Sequence, residues 1–228
     1  MLSGRPIAVR TYRPDSLADD APVVVWFHGR ERAEDAQCLS CSRELGAIVV
    51  SASTPRPGAV SQSDLLEIGH DALRHALRES GSGRRKASVT VVGSTVAAEA
   101  ALAAVYRADP DPVVRVVREL CLILPEFPPE PDVARGWMPP ARWVSGELSL
   151  ASSNALLAER SAAHAETLPS RLSYDFSRFP PTSVIAARAS ANRPVAELAR
   201  RLRVSGVDVS VSNQPGPRYG LLSALVVH

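Results

Sequence analysis

Ser88 to Tyr106 reads SVTVVGSTVAAEAALAAVY. Its first part, Ser88 to Gly93, is the apolar, β-branched composition of a buried strand. Its last part, Ala97 to Tyr106, is alanine-rich and strongly helix-forming. Small residues stand between them, so the stretch predicts strand, tight turn and helix in immediate succession. The same alternation recurs on both sides. Strands are predicted at Ile7 to Tyr12, Val23 to His28, Ala47 to Ser51, Leu120 to Leu124, Thr182 to Ala187 and Val207 to Ser212. Val23 to His28 (VVVWFH) is a continuous apolar run, as a strand buried on both faces requires. Leu65, Ile68, Ala72, Leu73, Ala76 and Leu77 mark one helical stripe, and Val195 to Arg203 another through Leu198, Ala199 and Leu202. Strands alternating with helices predict an α/β class: a doubly wound, mostly parallel sheet with helices on both faces. Ligands of such sheets bind at the carboxyl ends of the strands. The residues after Phe27, Val92, Leu124 and Ala187 therefore carry most interest.

Two stretches break the alternation. Ser53 to Ser63 is rich in Pro, Gly and Ser and reads as loop. Residues 125–181 are proline-rich at both ends, with one expected helix near Ser152 to His164, and fit a small cap or insertion on a single domain spanning 1–228. There is no internal repeat.

Composition removes several function classes. The 228 residues are 45% hydrophobic and 22% charged, with a net charge of +2. That length builds a core without staples, and the charge gives no electrostatic case for nucleic acid. All but one of the 26 Lys and Arg residues are arginine, a skew that reads as the coding bias of a GC-rich bacterial genome. No apolar run reaches bilayer length, so no membrane partner is expected. Three cysteines and the lack of a secretory stretch point to a cytoplasmic location. Cys38-Leu39-Ser40-Cys41 has the C-x-x-C spacing but only Cys121 as a further thiol, so the pair reads as helical thiols. His70 and His75 lie five apart on a helix, a poor spacing for shared ligation, and read as surface residues. No metal and no cofactor is expected.

Four junctions, taken together, are familiar. His28-Gly29 ends a buried strand. Gly93-Ser94-Thr95-Val96-Ala97 forms the strand–turn–helix junction. Phe179-Pro180-Pro181-Thr182 leads into a late strand, and Gln214-Pro215-Gly216-Pro217-Arg218-Tyr219-Gly220 follows the last one. In this order and spacing the chain resembles the α/β-hydrolase fold, and within it the carboxylesterases of the hormone-sensitive-lipase type. The resemblance runs from about Arg5 to the end. N-terminal cap helices common in that family look absent, and its Tyr-Arg-Leu-Ala-Pro-Glu-like stretch is shortened to Ser53-Thr54-Pro55-Arg56-Pro57.

The resemblance implies a catalytic triad whose positions have all changed. The family's Gly-x-Ser-x-Gly elbow has Thr95 for the serine and Ala97 for the last glycine. Ser190 stands at the acid's place and Tyr219 at the histidine's. The His-Gly-Gly-Gly oxyanion loop reads His28-Gly29-Arg30-Glu31. A hydroxyl attacks a carbonyl only when an oriented base takes its proton. Neutral Tyr219, with an ordinary pKa of roughly 10, is a poor base, and Ser190 carries no charge. Thr95 is β-branched at a strained position, which predicts a relaxed elbow with no nucleophile presented. Ordinary ester hydrolysis is expected to be lost or very weak.

The oxyanion hole is a separate matter. Backbone N–H groups of Gly29 or Arg30 and of Val96 survive side-chain replacement, and a helix N-terminus favours negative charge. His28, Glu31, Asp35 and Glu126 are further polar candidates to face it. The expected function is a hydrolytically impaired homologue that binds a small carbonyl compound, with elimination, cyclisation or addition as its chemistry. Tyr219 would serve as hydrogen-bond donor or general acid. Two other readings stand beside it: a non-catalytic scaffold, as a homodimer or the partner of an active homologue, and a weak esterase using Thr95.

Overall fold

Seven strands form one sheet in the computed structural model, which describes residues 7–29, 34–54, 62–80, 88–108, 117–125, 127, 174–187 and 193–214. They are β1 (Val9–Tyr12), β2 (Val23–His28), β3 (Ile48–Ser53), β4 (Val89–Ser94), β5 (Val117–Ile123), β6 (Thr182–Ala187) and β7 (Val209–Gln214). Their spatial order is β1-β3-β2-β4-β5-β6-β7. Only β1 runs antiparallel, against β3, and every other pairing is parallel. Four helices belong to the described residues: α1 (Asp35–Leu45), α2 (Gln62–Glu79), α3 (Ala98–Ala108) and α4 (Arg193–Val204). The doubly wound α/β class expected from the sequence is what the chain adopts.

The apolar run of β2 serves two cores because alternate side chains point to opposite faces. Val23, Val25 and Phe27 pack with Leu73 and Ala76 of α2 and Leu102 of α3. Val24 and Trp26 pack on the other face with Cys38 of α1. Each such side chain, fully buried, contributes about 1.5–3 kcal/mol. The alanines of α3 let the helix approach the sheet closely. A Cβ on Gly93 would stand 2.6 Å from the Ala101 Cβ and 2.8 Å from the Ala98 Cα, so only glycine fits there.

Several boundaries differ from expectation. β5 begins at Val117, not Leu120, because its outer end carries Arg118 and Glu119, and Glu119 is tied to β6 through Ser183. Leu124, expected inside that strand, leaves it with φ +48. β3 runs on through Ala52 and Ser53, and β7 is displaced two residues towards the carboxyl end. Gln62 and Ser63, expected in the loop, already belong to α2. The last part of the stretch expected to form a cap joins the main core: Tyr174, Phe176 and Phe179 are buried there. Tyr174 stacks on Tyr106 with ring centroids 4.3 Å apart, and Phe176 meets Phe179 edge-on at 5.0 Å. The helix expected near Ser152 to His164 lies outside the described residues.

Candidate active site

The order β3-β2-β4 contains a reversal. The chain leaves β2 through α1 to reach β3 on one side, then crosses back through α2 to β4 on the other. The carboxyl ends of β2 and β4 therefore lie side by side at the topological switch point, with Phe27 and Gly93 as parallel partners. This is where open α/β sheets take ligands.

Two junctions meet there. β2 ends at His28 and passes into Gly29. β4 ends at Ser94 and passes into a single 3-10 turn, Thr95–Ala97, before α3. A Cβ on Gly29 would stand 2.7 Å from the Val96 Cγ2, so the Val96 side chain packs directly against Gly29 and only a glycine leaves room for it. Thr95 has φ +48. The relaxed elbow expected for a β-branched residue is not what forms: the turn keeps the left-handed conformation, because the end of β4 and the close seating of α3 on Gly93 dictate its path. Such a conformation costs a β-branched residue about 1–3 kcal/mol.

Beneath the turn lies a buried polar knot. Ser94 is fully buried, and its hydroxyl donates to Glu34 Oε2 at 2.7 Å and lies 3.3 Å from the Phe27 carbonyl oxygen. Trp26 Nε1 donates to the same Glu34 oxygen at 2.9 Å. Glu34, 4% exposed, is the residue immediately before α1.

His28 and Asp35 belong to a different neighbourhood from the elbow. The His28 ring is buried, with Nε2 2.7 Å from the Ser51 hydroxyl on β3, while its carbonyl accepts from the backbone and side chain of Thr54. Asp35 accepts from Tyr12 at 2.6 Å and pairs with Arg10. The Tyr12 hydroxyl, in donating that bond, and the Arg10 guanidinium hold the Asp35 carboxyl below the usual range. Burial first, and that bond second, push the Tyr12 phenol up to about 12. A shallow pocket on this side is lined by Ala8, Arg10, His28, Asp35, Ser51 and Ser53, and includes no residue of the elbow.

Of the residues singled out in the sequence, Gly29, Thr95 and Val96 are thus brought together. No hydrogen bond joins the Thr95 hydroxyl to a histidine or carboxylate among the described residues. Arg30, Glu31, Glu126, Ser190 and Tyr219 lie outside the described residues. His70 and His75, read as surface residues, are half-buried, and the His75 ring lies 3.4 Å from the Thr11 hydroxyl. Among the described residues no group of His, Cys, Asp and Glu is placed to hold a metal ion, and no helix is long and apolar enough to cross a membrane. Glu34 and Ser94 were not legible as partners, since 60 residues separate them.

Comparison with solved structures agrees with this architecture. An esterase of Pyrobaculum calidifontis superposes with a TM-score of 0.72 at 21% identity, over 99% of this chain and 80% of the esterase. The chain has the α/β-hydrolase fold. Carboxyl esterase 2 of the fungus Tuber melanosporum gives a TM-score of 0.71 at 18% identity, over 97% and 76% of the two chains. A brefeldin A esterase, a bacterial homologue of human hormone-sensitive lipase, gives 0.68 at 16%, over 99% and 70%. At these identities the likeness carries the fold and not the reaction. No protein-family model and no curated protein matches the chain. Within this fold Thr95 lies in the turn between β4 and α3, and Gly29 directly follows β2.

Proposed function

We propose that this α/β-hydrolase-fold protein is hydrolytically impaired and binds a small carbonyl compound against the backbone amides of Gly29 and Val96. One observation carries the proposal: Thr95 holds φ +48, and the turn it belongs to seats Val96 against Gly29, where a Cβ would stand 2.7 Å from the Val96 Cγ2. A strained turn costs stability, and it persists where the surrounding structure over-determines it, most often at ligand sites. Amides fixed at the start of α3 stabilise a developing oxyanion or a carboxylate without reorganisation.

The impairment rests on the missing relay. The Thr95 hydroxyl has no base among the described residues, and the sequence puts Ser190 and Tyr219 where the resembled family keeps an acid and a histidine. Removing nucleophile or base costs a serine hydrolase on the order of 10⁶ in turnover, while binding and the oxyanion hole alone retain roughly 10³–10⁴ over water. Carbonyl polarisation without acyl transfer is the chemistry left, serving elimination, cyclisation or addition. Tyr219→Phe tests, once a substrate is found, whether the phenol at position 219 serves as hydrogen-bond donor to that carbonyl.

The decisive assay is turnover of p-nitrophenyl acetate and butyrate, with a fluorophosphonate probe, on the wild-type chain and on Thr95→Ala. The expected result is no labelling and equal, near-background rates. Robust turnover that disappears in Thr95→Ala would make the protein an esterase with a threonine nucleophile and overturn the proposal.

A further inference from the structure

Glu34 spends a buried carboxylate where an apolar side chain would fill the space, and both of its hydrogen-bond donors are neutral. Burying a charge among neutral groups is costly and is sustained only by well-made hydrogen bonds. The donors sit at informative places. Ser94 immediately precedes Thr95 on the elbow. Trp26 lies on β2, three residues before Gly29. One carboxylate oxygen, Oε2, takes both bonds, so it ties β2 to the end of β4, the two strands that lead into the contact between Gly29 and Val96. Ser94 has a single hydroxyl hydrogen. At 2.7 Å, the charge-assisted bond to Glu34 takes it in preference to the neutral Phe27 carbonyl at 3.3 Å. Glu34 is also the residue at which the chain enters α1.

We infer that Glu34 is the positioning residue of the oxyanion pocket: through Ser94 it holds Thr95 in the left-handed conformation and sets the spacing between the Gly29 and Val96 amides. This rests on the proposed function for its purpose, but the geometry it describes exists without a ligand. It makes the elbow strain a consequence of a specific hydrogen bond and not only of helix seating.

The test compares the full chain with Glu34→Gln and Ser94→Ala, and with Ser42→Ala as a control. Ser42 donates to the Ala47 carbonyl at 2.8 Å in the far turn of α1, so its loss lowers stability away from the pocket. Two quantities are read: the Thr95 φ in crystals of each variant, and the affinity for sodium butyrate followed by the Gly29 and Val96 amide shifts in NMR. In Ser94→Ala and Glu34→Gln the Thr95 φ is expected to leave the positive region and butyrate affinity to fall about tenfold or more. Ser42→Ala is expected to keep both wild-type values at a reduced Tm. If Glu34→Gln fails to fold, Ser94→Ala alone decides. A Thr95 φ that stays near +48 in the folded variants overturns the inference. Wild-type protein whose Gly29 and Val96 amides ignore butyrate, with φ still relaxing in the variants, leaves Glu34 as positioning residue and removes the carbonyl-binding function instead.

Discussion

Gly29 and Val96 approach so closely that a Cβ on the first would stand 2.7 Å from Cγ2 of the second. The contact joins two segments that the sequence separates widely, and it exists because β2 and β4 are parallel neighbours ending at the same level. Gly29→Ala must displace the Val96 side chain from its seat in the 3-10 turn. Overpacking of this kind costs about 1–3 kcal/mol, and Tm is expected to fall accordingly. The pocket amides lose register at the same time, so butyrate-induced shifts of Val96 are expected to vanish. A variant with wild-type Tm and wild-type shifts would show that the contact is not a constraint.

Thr95 offers the opposite experiment. Glycine adopts φ +48 without a Cβ penalty but loses more conformational entropy on folding. Strain relief of about 1–3 kcal/mol against an entropic cost of about 0.5–1 kcal/mol leaves Thr95→Gly more stable by about 1 kcal/mol. In a domain of this size that raises Tm by roughly 2–4 °C. Calorimetry of both chains checks it. A lower Tm for the glycine variant would mean that the threonine side chain earns its place through contacts that outweigh the strain.

Glu197 on α4 accepts from Arg200 and Arg201, and these bonds lower its pKa from 4.5 to about 2. The folded value lies below the unfolded one. Its stabilising effect is therefore fully present above pH 4.5 and is lost as the pH falls towards 2. Glu197→Gln is expected to melt below the wild type at pH 7 and to match it near pH 2. A gap of constant size across that window would contradict the assignment. The pair is exposed, so high salt is expected to narrow the pH 7 difference.

All three thiols are expected to react sluggishly in the native protein. Burial pushes Cys38 and Cys121 up to about 12 and raises Cys41 as well. Since the thiolate is the reactive form, Ellman's reagent at pH 8 is expected to titrate the cysteines slowly until denaturant is added. Rapid native reaction at Cys41 or Cys121 would show that the α1 face of the sheet opens readily.

Much of the sheet was legible because its strands are continuous apolar runs. Val23–His28 and Thr182–Ala187 fall where the sequence places them. α1 has no apolar stripe to read: its buried residues are Cys38 and Ser42, so only the C-x-x-C pair pointed to a helix. β5 starts earlier than its apolar residues do because Arg118 and Glu119 occupy its outer end. In the site, Gly29, Thr95 and Val96 could be picked out from their junctions. The strain at Thr95 could not, since propensity argued for relaxation and tertiary packing overrode it. Glu34 carried no local signal at all. A lone glutamate before a helix looks like a solvated cap, and only the pairing of β2 with β4 brings Trp26 and Ser94 to it.

The central claim is that an α/β-hydrolase fold persists here without a proton relay. Thr95→Ser tests it most directly, because it supplies the unbranched, primary hydroxyl the elbow pattern calls for and adds no base. Hydrolysis of p-nitrophenyl butyrate by Thr95→Ser is predicted to stay within about threefold of Thr95→Ala, since an unactivated serine contributes little. A rise on the order of 10³-fold over Thr95→Ala would reveal a base poised at the elbow and contradict the account.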